Sequence, residues 1–208
     1  MSEHDPAQTA GQLIDWADAH GFTPSERSFA GETPLLRLGT ADISGVTFDG
    51  QVDGHRALLG EFFIASPNRI GIGDSGVGET HFVVLLCDID APRWPRITVH
   101  PTEFSDGDWL DRLLHHDDHR VPDISPEFDR HYRLRIANSI DENDLHDLLT
   151  PELVAWIADQ PEMVADLENN DQTGDSLVVA ALAAEDRPAS PELLIAQASH
   201  LMPILEAD

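Results

Sequence analysis

Apolar and polar residues follow two different periods along the chain, and together they predict an α+β fold. Apolar residues recur at helical spacing from Leu13 to Ala17, which predicts an amphipathic helix over about residues 7–20 that ends at a left-handed Gly21. From about residue 35 to residue 100, short apolar runs are separated by Gly, Asp, Asn and Pro, which indicates strands and turns. Closely spaced strands without intervening helices should pair mainly as an antiparallel meander.

The strand-rich part contains five predicted strands, which cover residues 35–38, 43–48, 55–65, 81–89 and 97–100. Two pairs of turn-forming residues, Asp49-Gly50 and Asp53-Gly54, are expected at the first tight connection between them. A short helix is then predicted over residues 109–114, and the segment 117–126 is expected to be a loop.

Strict alternation over residues 128–136 predicts the clearest strand of the chain. Its apolar face carries Phe128, Tyr132, Leu134 and Ile136 together with Arg130, and its polar face carries Asp129, His131, Arg133 and Arg135.

The C-terminal part predicts helices on either side of a hairpin. The helices cover residues 141–149, 151–158 and about 191–201, and the hairpin joins 163–168 to 176–183. Thr150 and Ser190 are expected N-caps because each is followed by a proline, and Pro203 should end or bend the last helix.

The order of these elements predicts one α+β domain over residues 1–208. Its sheet should be largely antiparallel, with the N-terminal helix (about residues 7–20) and the C-terminal helices packed on it. The strand-rich part covers residues 35–100, and a mixed helix and strand part covers residues 106–205.

The charge of the chain narrows its partners. None of the 208 residues is lysine: the 12 basic residues are all arginine, against 39 Asp and Glu, for a formal net charge of -27. A field of that sign repels phosphate backbones and anionic lipid headgroups, so we expect neither nucleic acid nor a membrane surface as partner. Salt adaptation, a GC-rich genome and selection for solubility would each produce this composition, and one sequence does not separate them.

Cysteine usage and the N-terminus predict a cytoplasmic protein. Cys87 is the only cysteine and lies in an apolar run, so it is expected to be a buried thiol that forms no disulfide within the chain. The N-terminus lacks the basic start and apolar core of a signal peptide, and no apolar run reaches the roughly 20 residues of a membrane span.

Four segments resemble an uncharacterised family of soluble actinobacterial proteins, a domain of unknown function. They are the helix exit 19–22, the ribbon 43–64, the strand entry 127–130 and the helix entry 148–151, and the similarity extends loosely over residues 10–205. These motifs are structural rather than chemical. The resemblance therefore implies a single domain and carries no activity.

No cofactor is expected from the glycine-rich stretch. Gly71, Gly73 and Gly76 have the spacing of a dinucleotide fingerprint, but that motif requires a following helix, and residues 82–86 predict a strand.

The densest group of metal-ligating residue types lies at residues 115–119. His115 and His119 would share a helix face if the helix continued, with Asp111 one turn earlier, and imidazoles with a carboxylate could hold zinc or a similar ion. The alternative is that these histidines lie at a helix C-terminus, where the helix dipole favours them, and that the aspartates are solvated.

Positive charge is concentrated in one part of the chain. Seven of the 12 arginines lie within 43 positions: Arg93, Arg96, Arg112, Arg120, Arg130, Arg133 and Arg135. Because His131, Arg133 and Arg135 share the polar face of the predicted strand, they could bind an anionic ligand or an acidic partner segment. The competing interpretation, which we favour at this stage, is pairing with carboxylates on neighbouring strands.

These observations favour a soluble, acidic, non-enzymatic binding or regulatory module. Its partner would be a protein or a small anionic ligand, and a homodimer is compatible with the sequence. The alternative is a metal-dependent hydrolase that uses the His115 and His119 cluster.

Overall fold

The computed structural model describes most of the chain with defined gaps. The described residues are 6–27, 46–66, 78–91, 94–102, 119–137, 142–160, 163–170, 174–183 and 190–207. The predicted strand at 35–38, the predicted helix at 109–114 and the glycine-rich stretch lie outside them.

Two of the described helices begin at a side-chain N-cap that the sequence supplies. Those described are α1 (Pro6–Ala19), α2 (Phe128–His131), α3 (Glu142–Leu148), α4 (Pro151–Ala158) and α5 (Pro191–Leu205). Thr150 and Ser190 accept hydrogen bonds from the backbone amides of Leu153 and Leu193, which confirms both predicted N-caps. After α1, Gly21 has a φ of 77°, as expected for a left-handed C-terminal residue.

The described strands form one nine-stranded sheet in which every pairing is antiparallel. They are β1 (Thr23–Pro24), β2 (Thr47–Val52), β3 (His55–Ser66), β4 (Gly78–Ile89), β5 (Ile97–Pro101), β6 (His119–Val121), β7 (Tyr132–Ile136), β8 (Met163–Asn170) and β9 (Gly174–Ala183). Their order is β1-β2-β3-β4-β9-β8-β5-β7-β6. The predicted fold class, an antiparallel sheet with an N-terminal helix and C-terminal helices, is confirmed.

The predicted meander is correct only for the first strands of the sheet. β2, β3 and β4 pair in sequence order, but β4 then pairs with β9, and β5 pairs with β7 and β8. The C-terminal hairpin is therefore inserted between two strands that are neighbours in sequence. Pairing partners so distant in the chain leave no local mark, so hydrophobic periodicity does not reveal this order.

The central strands are buried on both of their faces. On one face, Leu85 and Val179 belong to the main core, to which α5 adds Leu194 and Ala198. On the opposite face, Leu86 and Val178 are paired and at most 1% exposed. This two-sided burial explains why β4 and β9 are continuous apolar runs rather than alternating ones.

Gly50 corrects the predicted first connection. The turn is formed by Asp53 and Gly54, both at positive φ, whereas Gly50 lies inside β2 opposite Ala57. A Cβ atom at Gly50 would lie only 2.5 Å from Cε1 of Phe22, which packs over the strand. Gly50 is thus required by a close approach of a ring and not by a turn.

Three further expectations need correction. Residues 128–131 form α2 instead of the first half of a strand, so only the later half of the predicted strand becomes β7. The predicted loop at 117–126 contains β6. Of the two effects expected of Pro203, an end of the helix is excluded, because α5 continues past it to Leu205.

Two tryptophans hold the first and last helices: Trp16 joins α1 to α5, and Trp94 joins α5 to the segment before β5. The indole of Trp16 on α1 donates to the carboxylate of Glu192 on α5, which also accepts from the hydroxyl of Ser190. The hydrogen bond from Ser190 is the main reason that the pKa of Glu192 is lowered. Trp94 donates from its buried indole to the carbonyl of Leu205 at 2.8 Å, which anchors the end of α5.

Within the described residues, no helix combines the length and the apolar character that crossing a membrane requires.

We expect Gly50→Ala to lower the free energy of unfolding by about 1–3 kcal/mol, because the new methyl group forces the ring of Phe22 to move. Urea denaturation measures the change, and Gln51→Ala, at an exposed position of the same strand, is the control. Adding Phe22→Leu should recover part of the loss. Equal stability of the Gly50 and Gln51 variants would contradict the close-approach argument.

Candidate functional site

Strand register brings two arginines together on one face of the sheet. Arg120 on β6 lies directly opposite Arg135 on β7, and Arg135 lies opposite Thr98 on β5. Arg133 lies two residues along the same face of β7, opposite His100. We call this surface, formed by Arg120, Arg133 and Arg135, the arginine face.

The arginine face continues into buried polar groups. Thr98 and Asp166 are each 2% exposed, and the hydroxyl of Thr98 donates to Oδ1 of Asp166 at 2.7 Å. His100 is also buried, and its Nδ1 lies 3.1 Å from the carbonyl oxygen of Pro101. Sequence reasoning missed these residues, although Thr98 and His100, two polar positions within an otherwise apolar strand, were the available signal.

Arg133 has a structural role in this arrangement. Its guanidinium donates to the carbonyl of Asp129, on α2, and to the carbonyl of Tyr132 at 2.9 Å. These bonds satisfy carbonyl groups at the end of the short helix, as basic side chains commonly do. Of the three predicted ligand-binding residues, Arg133 is thus held by the backbone.

His131 does not share the strand face with the arginines. It is the last residue of α2 and is exposed, because the chain becomes extended only at Tyr132. The strand alternation that grouped His131 with Arg133 and Arg135 does not extend back to it. Arg120 takes its place in the group, through pairing between strands.

The predicted metal site is described only in part. Asp111 and His115 lie outside the described residues, and His119 is exposed at the start of β6, paired with Ile136. Because His119 lies in a strand, it is not part of the helix that was expected to place it one turn from His115. Among the residues described, no group of three or more His, Cys, Asp or Glu is placed to hold a metal ion.

An apolar cleft of about 870 Å³ lies between the loop after β6 and the helical pair α3 and α4. Its apolar walls include Val121, Ile124, Leu145, Leu149 and Val154. Asp123, Glu127 and Asp159 line it as well, and all three are exposed. We call this feature the β6 cleft.

Hydrogen bonds to neighbouring elements hold the loop that forms one wall of the β6 cleft. The amide of Phe128, whose ring is fully buried, donates to the hydroxyl of Ser125 at 3.1 Å. On the far side, the hydroxyl of Tyr132 donates to the carbonyl of Gln160 and accepts from the amide of Met163. These bonds connect the loop to α2, and β7 to the chain after α4 and to β8, so the walls of the cleft are preformed.

A second cleft of about 680 Å³ lies between α4 and α5. The rings of Trp156 and His200 stack there with centroids 4.0 Å apart, and Trp94 also lines the cleft. Because Trp156 uses one ring face on His200, this cleft offers less aromatic surface to a ligand than its lining suggests.

Cys87 is unsuited to nucleophilic chemistry. It is fully buried in β4, and burial is the main reason that its pKa is raised to about 12, with the charges of Asp88 and Asp53 as further causes. A thiol with such a pKa stays protonated at neutral pH.

Comparison with known proteins identifies the fold and not an activity. No protein-family model matches the chain, and no curated protein does either. Among solved structures, it is similar to the crystal structure of the mycobacterial trehalose monomycolate transport factor A, TtfA, with a TM-score of 0.57. The match covers 94% of this chain and 95% of that chain at 12% sequence identity, so it shows a shared fold. This distant likeness is consistent with the expected weak resemblance to an uncharacterised family.

We expect Cys87 to be unreactive toward a disulfide reagent in the native state. At about pH 8 an ordinary thiol with a pKa of ~8.5 is partly ionised, whereas the buried thiol is not. Titration of the folded protein and of the protein in denaturant measures the difference. Reaction at the same rate in both conditions would contradict the burial of Cys87.

We expect Arg133→Ala to lower the free energy of unfolding by about 1–2 kcal/mol, because two carbonyl groups lose a charged donor. Arg130→Ala, at an exposed position on the same short helix, is the matched control and should stay within about 0.5 kcal/mol of the wild type. Urea denaturation of both variants gives the values. If the two variants lose equal stability, the hydrogen bonds of Arg133 do not stabilise the end of α2.

Proposed function

We propose that this protein is a non-enzymatic binding module that holds an anionic group on its arginine face. The observation that carries the proposal is the register of β6 and β7, which places Arg120 directly opposite Arg135. Like charges at directly opposed positions of an antiparallel pair destabilise the sheet. A bound anion between the two guanidinium groups would attract both of them.

The chemistry of the arginine face suits binding better than catalysis. A guanidinium stays protonated at all relevant pH values and presents a planar fork of donors that fits carboxylate or phosphate oxygens. It therefore neither donates nor accepts a proton during a reaction. Nearby, the hydroxyl of Thr98 donates to Asp166, and Arg120 is the exposed group of this face that a ligand would meet first.

The position of the two arginines also fits a ligand from solution. Arg120 is exposed and Arg135 is half-buried, so the face runs from solvent toward the buried polar groups of β5 and β8. A charge-assisted hydrogen bond at a half-buried arginine is less screened by salt than one at an open surface. Within a chain of net charge -27, this face is a local site of opposite sign.

The known fold is compatible with this role. TtfA is named as a transport factor for trehalose monomycolate. Transport of a ligand requires a protein that binds, and we carry only this general idea over to the present chain. We also propose that the chain acts as a single domain, which is supported by one sheet whose strands extend from Thr23 to Ala183. We propose a location in the cytoplasm as well, which is supported by the single, buried Cys87.

Thermal denaturation in inorganic phosphate or citrate, at matched ionic strength against chloride, tests the anion site. Binding stabilises by about 2.7 kcal/mol at ~100 times the Kd, which corresponds to a rise in Tm of about 5–10 °C for a chain of this size. Arg120→Gln combined with Arg135→Gln should abolish the rise.

The control is Arg56→Gln, because Arg56 is an exposed arginine on β3 at the other end of the sheet. This variant should keep the full rise in Tm. An equal rise in all three proteins would mean that the anion acts elsewhere, and no rise in the wild type with either anion would remove the proposal.

A further inference from the structure

The strand β6 separates two surfaces of opposite character. Arg120 lies on the arginine face, whereas its neighbour Val121 pairs with Leu134 and lines the β6 cleft on the other face. Alternate residues of a strand point to opposite sides, so the cleft is a separate site from the anion site proposed above. A ligand of the cleft would therefore be different from the anion.

Most apolar side chains in the walls of the β6 cleft remain incompletely buried. Val121, Ile124, Leu145 and Leu149 pack against the core but are only partly buried. Together they form an apolar surface inside a concavity, which is typical of a binding site rather than of a scattered exposed residue. An apolar body would fill it.

The carboxylates around the β6 cleft favour a positively charged ligand. Its three carboxylates come from separate places: Asp123 and Glu127 at the two ends of the loop, and Asp159 at the end of α4. None of the described residues that line the cleft is an arginine, although Arg120 and Arg130 lie on either side of the loop in sequence. Among the described residues that line the cleft, three carboxylates stand against one basic side chain, His146.

We infer that the β6 cleft binds a basic amphipathic segment of a partner protein. The apolar side of the segment would lie on Ile124, Leu145 and Leu149, and its lysines or arginines would meet the three carboxylates. A ligand with a single positive charge would leave most of this negative charge without a counterpart. Several positive charges on one apolar body are a property of an amphipathic peptide, which groove recognition of this kind accommodates.

The backbone of the loop supports a preformed site. Asp123 has a φ of 58°, a conformation that side chains other than glycine, asparagine and aspartate rarely adopt. Since the loop is also held by the Ser125 bond to Phe128 and the wall at α4 by the Thr150 cap, little order would have to be gained on binding. Preformed walls lower the entropic cost of capturing a peptide.

A designed helical peptide of leucine and lysine, with leucine on one face, is the probe. We expect saturable binding to the wild type in a calorimetric titration, and no binding of the same peptide with glutamate in place of lysine. Asp123→Asn, Glu127→Gln and Asp159→Asn combined should weaken binding by about tenfold at low salt, because each exposed ion pair adds a modest amount. Asparagine tolerates the positive φ at position 123, so the loop is retained.

The matched control removes the same number of negative charges away from the cleft. Asp15→Asn, Asp18→Asn and Glu26→Gln combined neutralise three exposed carboxylates near the N-terminus. This variant should bind the peptide as the wild type does. An equal loss in both triple variants would show that the peptide responds only to the overall charge of -27, and the proposal would be wrong.

Ala155→Trp tests the apolar part of the cleft. Ala155 is exposed and lines the cleft on α4, so a bulky side chain there blocks the cleft without disturbing the core. Peptide binding should be lost while the Tm stays near that of the wild type. Unchanged peptide binding by Ala155→Trp would overturn the proposal. The proposal would also be wrong if the wild type did not bind the peptide but bound a single-chain cationic detergent, and if Ala155→Trp prevented that detergent binding.

Discussion

The pairing of β9 with β4 is the constraint on which the rest of the structure depends. Their register aligns Leu177 with Cys87 and Ala180 with Val84, and these residues are almost completely withdrawn from water on both faces of the sheet. Burial of apolar area is the main favourable term in folding, so the apolar runs 82–87 of β4 and 177–183 of β9 provide much of the stability of this fold. The ladder also joins the strands β1 to β4 to the strands β8, β5, β7 and β6. Both candidate sites lie at the far end of that second group, and their geometry follows from it.

Local chemistry predicted most elements but not their arrangement. Gly21, Thr150 and Ser190 have short-range roles that a sequence states directly, so the end of α1 and the starts of α4 and α5 were correctly placed. Alternation failed at Phe128, because a buried ring preceded by turn residues satisfies one period of a strand and one turn of a helix equally well. The position of His131 was wrong for that reason. The meeting of Arg120 with Arg135 depends on which strands pair, and 14 residues of intervening chain carry no mark of it.

The distribution of charge is more organised than the net value suggests. On one side of β6 lie the arginines, with Thr98 and Asp166 at paired positions on β5 and β8, and on the other side exposed carboxylates surround apolar walls. A strand of three residues can divide these environments because consecutive side chains point in opposite directions. Long-range repulsion among 39 acidic residues acts on the whole surface and opposes compaction. Local segregation of the two signs is what distinguishes these two surfaces of an acidic protein.

The order of strands in the sheet has a consequence for biosynthesis. The ribosome completes β4 and β5 long before it releases β8 and β9, yet the hairpin must occupy the space between them. Until residue 183 leaves the exit tunnel, the long apolar edge of β4 has no native partner, and such edges are aggregation-prone. Contacts between segments so far apart in the chain also make folding slow. Nascent chains of this protein should therefore depend on chaperone holding during translation, at a stage when the strongly negative charge of the chain helps to keep its copies apart.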